Sequence, residues 1–181
     1  MRFVMLVEGD TEKHAIAGFL KRWLDPKLTC PVHIQPVNCR GNTRLVRKAQ
    51  DFLGSPEACE IIAVIGLLDL YGLDIYPPAL TTAQERHDWG VKEFERQVSD
   101  DKFKMFFAVH EFEAWILGQP DFLPQSVRNT LPASAANPEK VDFGEPPAVL
   151  LNRLYLSATR KSYRKTTDGK LLFAKLAPAV V

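Results

Sequence analysis

The sequence of 181 residues predicts an α/β fold, an open sheet of about four mainly parallel strands flanked by helices, followed by a mostly helical C-terminal extension. Three observations predict it. Short runs rich in Val, Ile, Leu and Phe alternate four times with helical patterns, an order that suits parallel strands joined by right-handed crossovers. The strongest run, residues 60–68, is apolar at nearly every position, as a strand covered on both faces must be. After Pro120 the alternation stops, and Pro124, Pro132, Pro138, Pro146 and Pro147 punctuate short helical stretches. Residues 1–119 are therefore expected to form the α/β core, and residues 120–181 an extension packed on it.

The elements follow in order. Residues 2–7 read as a buried strand that stops at Glu8-Gly9-Asp10-Thr11-Glu12. A helix is expected from Thr11 to Trp23, capped by Thr11 or Asp10, with Ile16, Phe19, Leu20 and Trp23 on its apolar face; Asp25-Pro26 ends it. Residues 32–37 form the second strand, and Gly41-Asn42-Thr43 opens a helix to about Leu53. The third strand, residues 60–68, runs into Asp69-Leu70-Tyr71-Gly72-Leu73-Asp74 and the loop at Tyr76-Pro77-Pro78. A polar helix from Thr82 to Ser99 should bury Trp89, Phe94 and Val98. Residues 103–109 form the fourth strand and residues 111–117 a short helix. Later, Ala133 to Ala136 suggests a surface loop, Pro146-Pro147 starts a helix to about Leu156, and residues 163–170 form a loop before the last helix.

Composition narrows the class. With 46% hydrophobic and 25% charged residues, the chain can bury a core, so disorder is not expected. The net charge of +1 hides a polarised distribution: residues 57–113 hold 12 acids against 5 bases, and residues 151–175 hold 7 bases against Asp168 alone. That asymmetry suits an acidic pocket beside a phosphate-attracting flank. Cys30, Cys39 and Cys59 have no CxxC spacing, which argues against a disulfide framework or a zinc site and for small buried thiols. No signal-peptide pattern precedes the first strand, and no apolar run approaches the ~20 residues that span a bilayer. A cytoplasmic protein without a membrane partner is expected.

The candidate chemistry lies at strand ends, because open α/β sheets place their sites in the crevice at the strands' carboxyl edge. Glu8 and Asp69 each follow an apolar run and are expected to share a divalent metal, magnesium or manganese, which takes oxygen ligands and few protein carboxylates. Such an ion activates water and polarises a phosphodiester. Asp74 is a further ligand candidate or a turn residue, and Glu12 suits the first turn of a helix. His110, Glu111 and Glu113 follow the fourth strand at the same edge, where His110 could act as general acid or base and the glutamates could complete the site. Gly9, Arg40, Arg44 and Lys165 are the candidates for phosphate or nucleic-acid contact, with Gly41-Asn42-Thr43 a plausible anion seat. Tyr163 offers a ring for base stacking.

Val7-Glu8-Gly9-Asp10-Thr11-Glu12 resembles the first motif of Toprim domains, the fold shared by topoisomerases, bacterial primases and several nucleases. The resemblance makes Glu8 the motif's strand-end acid. The second motif of that family is Asp-x-Asp, usually followed by Gly; here it reads Asp69-Leu70-Tyr71-Gly72, with Tyr71 in place of the second acid. Asp74, Glu111 or Glu113 would have to substitute for it. The chain is most similar to the small bacterial proteins called domain of unknown function 4276. The matches are Asp69-Leu70-Tyr71-Gly72-Leu73, His110-Glu111-Phe112-Glu113-Ala114, and Tyr163-Arg164-Lys165 with Asp168-Gly169, spread over roughly residues 1–170. The resemblance implies metal-dependent cleavage of DNA or RNA, within a system similar to phage defence and beside a partner ATPase. It leaves a second expectation open: a catalytically degenerate module that binds nucleic acid or nucleotide and acts through that ATPase. The chain lacks a long basic patch, which argues against tight duplex binding on its own.

Overall fold

The structure, a computed structural model, describes residues 1–136, 138 and 145–178. The first half alternates strand and helix as expected: β1 (Arg2–Val7), α1 (Asp10–Leu24), β2 (His33–Asn38), α2 (Leu45–Leu53), β3 (Ile61–Asp69), α3 (Ala83–Val98) and β4 (Phe103–Ala108). The four strands lie in the order β2-β1-β3-β4, and each neighbouring pair is parallel. This is the open, parallel α/β sheet the sequence predicts.

Side chains alternate across the sheet with a period of two. Met5 and Val7 of β1 join Ile16 and Phe19 of α1 on one face. Val4 and Leu6 join Leu45 and Ala49 of α2 and Phe94 and Val98 of α3 on the other. Beyond β4 come α4 (Glu113–Gly118), α5 (Gln125–Arg128), α6 (Pro147–Thr159) and α7 (Lys170–Phe173). These later helices share the first core: Leu150, Leu151, Leu154, Phe173 and Leu176 belong to the same cluster as Met5 and Val7. Phe19 makes the join, its ring 5.1 Å from Phe173 and 5.4 Å from Trp115. Arg22 adds a polar clasp by donating to the carbonyls of Phe173 and Leu176 at 3.2 and 3.0 Å.

Four local expectations are corrected. No side chain caps α1: Gly9 occupies the cap position, and the Asp10 carboxylate instead accepts a bond from the Asn38 amide at 2.8 Å. Trp23 is 42% exposed, because it lines the rim of a groove of about 440 Å³ where Phe106 of the edge strand β4 is also left open. Ala133–Ala136 is a 3₁₀ turn with Ala135 buried, not a loose loop. Of the three free cysteines only Cys39 is buried, at the end of β2, where burial pushes its thiol up to about 11; Cys30 and Cys59 lie on exposed connections. Among the described residues no helix is long and apolar enough to cross a membrane.

Gly66, in the middle of β3, lets side chains of β4 and α2 close in over the strand. A Cβ there would lie 2.6 Å from the Met105 sulfur and 3.3 Å from atoms of Leu45 and Phe103. Gly66→Ala should therefore overpack the second core and lower the unfolding free energy by about 1–3 kcal/mol. Urea titration at constant m-value measures this; an unchanged midpoint would mean that Met105 yields without strain.

Candidate functional site

β1 and β3 are neighbours, but their connections leave in opposite directions, through α1 to β2 and through α3 to β4. Sheets of this kind open a crevice at such a switch point, beyond the strands' carboxyl ends. Val7 pairs with Leu67 and Asp69 with Ala108. Glu8 therefore leaves β1 beside the end of β3, where Asp69 is the last strand residue. Leu70 donates to the carbonyl of Ala108 at 2.7 Å, which keeps β4 in step and brings His110 and Glu111 to the same edge.

Gly9 makes room for the next acid. A Cβ on Gly9 would stand 2.5 Å from Glu12 Oε2. The Glu12 carboxylate thus folds back over the first turn of α1, and its charge reaches both Glu8 and Asp69. From the sequence Glu12 is a weaker candidate for the site than Glu8, because a role in favouring the helix start explains it at least as well; its place one turn beyond Glu8 is the signal for more.

Crowding sets the electrostatics. Burial, then Glu12 and Glu8, push the Asp69 carboxyl up to about 8; Glu111 adds to this and Lys165 opposes it. Burial and Glu12 raise Glu8 as well, again against Lys165. Glu113, 3% exposed, is raised by burial, with Lys165 pulling it down and Glu111 pushing it up. Lys165 stands between these acids, its Nζ 3.3 Å from Glu111 Oε1 and 3.3 Å from Glu113 Oε2. Burial alone would lower the lysine, but Glu113 and Glu111 outweigh it and hold it above its ordinary value. Lys165 therefore stays charged.

Both glutamates are held from behind. Glu111 Oε2 accepts a bond from the Ala148 amide at 2.8 Å, so it caps the first turn of α6. Glu113 Oε1 accepts the Tyr163 hydroxyl at 3.3 Å. Tyr163 is 7% exposed and packs 5.4 Å from the Tyr155 ring, so the expected stacking role is corrected: the ring is core and its hydroxyl is a strut. Asp168 closes the turn by accepting from the Arg164 amide at 2.8 Å, and Gly169 leaves space for the Tyr163 hydroxyl.

The structure thus gathers Glu8, Glu12, Asp69, Glu111, Glu113 and Lys165. His110 is buried at the same edge. Arg40 sits at the rim, exposed, with a left-handed backbone (φ 54°) stabilised by its amide bond to Asn38 Oδ1 at 2.6 Å. Arg44 is exposed one turn further on. Asp74 is also exposed; it lines a separate hollow with Tyr71, Tyr76 and Arg86, and it is not among the charges that shift Asp69. Carboxylate oxygens without soft donors suit a hard divalent cation such as magnesium or manganese, which needs few protein ligands. Among the described residues no three His, Cys, Asp or Glu side chains form a ready-made ligand group. The fit therefore rests on the donor chemistry of Glu8, Glu12 and Asp69.

The crowding makes a pH prediction. Folded Asp69 keeps its proton up to about pH 8, whereas an unfolded aspartate releases it at roughly 4. Between those values the folded state binds the extra proton, so stability should fall as pH rises through this window, by on the order of a few kcal/mol. Asp69→Asn should flatten most of the fall. Thermal melts of both proteins from acid to alkaline buffer measure it, and a native melting temperature that climbs with pH would contradict the burial of these acids.

Comparison with known proteins agrees with this architecture. No curated protein matches the sequence. Among solved structures, the chain is similar to the C-terminal region of the Burkholderia pseudomallei OLD protein, with a TM-score of 0.51 and 17% identity over 99% of this chain and 92% of that one. The C-terminal region of the Xanthomonas campestris pv. campestris OLD protein follows at 0.48 and 19% identity, covering 99% and 86%. At 17% identity the Burkholderia likeness speaks for the fold alone. The sequence itself matches one family over residues 7–181, a span that begins at the end of β1 and takes in Glu8, Asp69, the Glu111–Glu113 pair and Lys165. The chain belongs to that family, described as Domain of unknown function (DUF4276).

Proposed function

We propose that this protein is a magnesium- or manganese-dependent phosphodiesterase that cleaves nucleic acid, DNA or RNA. The observation that supports it is the convergence of Glu8, Glu12 and Glu111 on the buried Asp69 carboxyl at the sheet's switch point, with the Lys165 ammonium among them. Glu8 and Asp69 would hold the cation, with Glu12 adding charge beside them. When bound, such an ion polarises the phosphodiester and makes its water more acidic.

The chain's own groups supply the rest. Alternatively Glu8, raised by burial and Glu12, would not hold the cation but accept the proton of the attacking water. Lys165, kept charged by its two glutamates, counters the negative charge that builds on the phosphorus oxygens. Glu111 and Glu113 position that lysine, and Tyr163 positions Glu113. Arg40, at the rim, would hold a phosphate of the bound strand. The reaction adds water across one P–O bond and leaves a phosphomonoester and a hydroxyl. A partner ATPase, a part in phage defence and a cytoplasmic setting extend this reading.

A second reading rests on Tyr71, which stands where the motif's second acid would be, and on Lys165, which already neutralises two of the acids. Both favour a module that binds nucleic acid or nucleotide without cutting and acts through a partner ATPase. Cleavage assays decide. With manganese and either plasmid DNA or single-stranded RNA, Glu8→Gln and Asp69→Asn should each slow cleavage by roughly 100-fold or more, in line with loss of a catalytic acid or base. Equal rates in native and variant proteins would contradict the proposed site, and binding without cleavage by the native chain would favour the second reading.

A further inference from the structure

A second cavity lies at the same edge of the sheet and has no part in the acid cluster. It encloses about 350 Å³ between the start of α2 and the middle of α3, and is lined by Asn42, Thr43, Val46, Ile75, Trp89 and Gln97, with buried Phe94 among its walls. Its lining mixes the polar side chains of Asn42, Thr43 and Gln97 with the apolar ones of Val46, Ile75 and Phe94. That mixture differs from the nearly all-apolar groove beside α1. It suits a flat heteroaromatic ring, whose faces want apolar contact and whose edges want hydrogen bonds.

The polar groups are placed for such edges. The Asn42 amide and the Thr43 hydroxyl make no side-chain hydrogen bond among the described residues. The Gln97 amide nitrogen donates to Glu93 at 2.7 Å, which leaves its oxygen as an acceptor. Glu93 is itself paired with Arg96, so the carboxylate that borders the hollow is neutralised. Val46, Ile75 and Phe94 provide the apolar surface, and Trp89 is held edge-on against Tyr76 at 5.8 Å.

Charge and connection place the cavity relative to the acids. Arg40 and Arg44 flank Asn42 and Thr43 in sequence, are exposed, and form no ion pair among the described residues. The loop that carries them starts beside the first acid: Gly41 donates to the Glu8 carbonyl at 3.4 Å, and Cys39 to the Val7 carbonyl at 2.8 Å. Gly41 has φ 99°, a conformation that glycine adopts freely, and the chain turns there from the acid cluster toward the cavity. Two exposed arginines thus flank, along the chain, the loop that leads from the acid cluster to the pocket.

We propose that this cavity is a nucleobase subsite. It seats one unstacked base of a nucleic-acid strand whose neighbouring phosphates lie on Arg40 and Arg44. The inference rests on the nucleic-acid reading above and deepens it, because a base can enter only from a single strand or by being flipped out of a duplex. Single-stranded nucleic acid is then the preferred substrate class.

The test uses the full chain without divalent metal and short fluorescein-labelled single strands, homopolymers of each base beside an abasic strand of equal length. Fluorescence anisotropy should show base-bearing strands binding at least about fivefold more tightly than the abasic one, the scale of one stacked base. Asn42→Ala and the cavity-filling Val46→Phe should erase that margin, whereas Arg40→Ala should weaken all strands alike; Asn42→Ala carries the test if Val46→Phe folds poorly. Folded pocket variants that keep the native margin, or a native chain without one, would overturn the subsite. A chain that shows the margin but cleaves nothing overturns the nuclease alone, and one that cleaves through Glu8 and Asp69 without the margin overturns the subsite alone.

Discussion

Like charges held together at the end of a buried sheet are the constraint on which this structure turns. Asp69 closes the most apolar strand of the chain, and its carboxyl is crowded by Glu8, Glu12 and Glu111. Such crowding opposes folding at neutral pH, since each acid is harder to ionise beside the others. Among the described residues, Lys165 is the cation whose charge reaches Glu8, Asp69 and Glu113, brought from a segment 54 residues beyond Glu111. Sites that hold strain of this kind commonly serve chemistry, and the rest of the molecule then has to supply the stability.

Here the later helices supply it. α6 and α7 pack on α1 and the first strand in one apolar cluster, and Glu111 caps α6 while Tyr163 braces Glu113. The acid cluster and the C-terminal region are therefore joined, because Lys165 enters from the turn that leads into α7, whose Phe173 packs on Phe19. The second core has a different role. Through α2 and α3 it supports the loop at Gly41 and the walls of the mixed-polarity cavity, so each face of the sheet carries its own part of the edge.

The strands and the two principal acids were legible in the sequence because they depend on local order. An apolar run that stops at a carboxylate and Gly announces a strand end, and four such alternations announce a parallel sheet. The side of each residue was harder to read where long-range packing decides it. Tyr163 resembled a surface ring because Arg164 and Lys165 follow it; its burial comes from Tyr155 and Gly169, contacts that have no periodic signature. Trp23 sits at helical spacing from Ile16 and Phe19, yet α1 reaches the open groove there. Glu12 was hidden by an adequate local explanation, the helix start. The Lys165 pairing with Glu111 and Glu113 could not be read at all, because two distant segments meet only through the fold.

The central claim is that Glu8 and Asp69 belong to one site built for a divalent cation. Calorimetric titration of the native chain with manganese, repeated on Glu8→Gln and Asp69→Asn, tests it most directly. The expected result is a saturable site in the native protein that either substitution abolishes, although both variants remain folded. Absence of binding at millimolar manganese, at roughly that order of concentration, or binding that survives both substitutions, would contradict it.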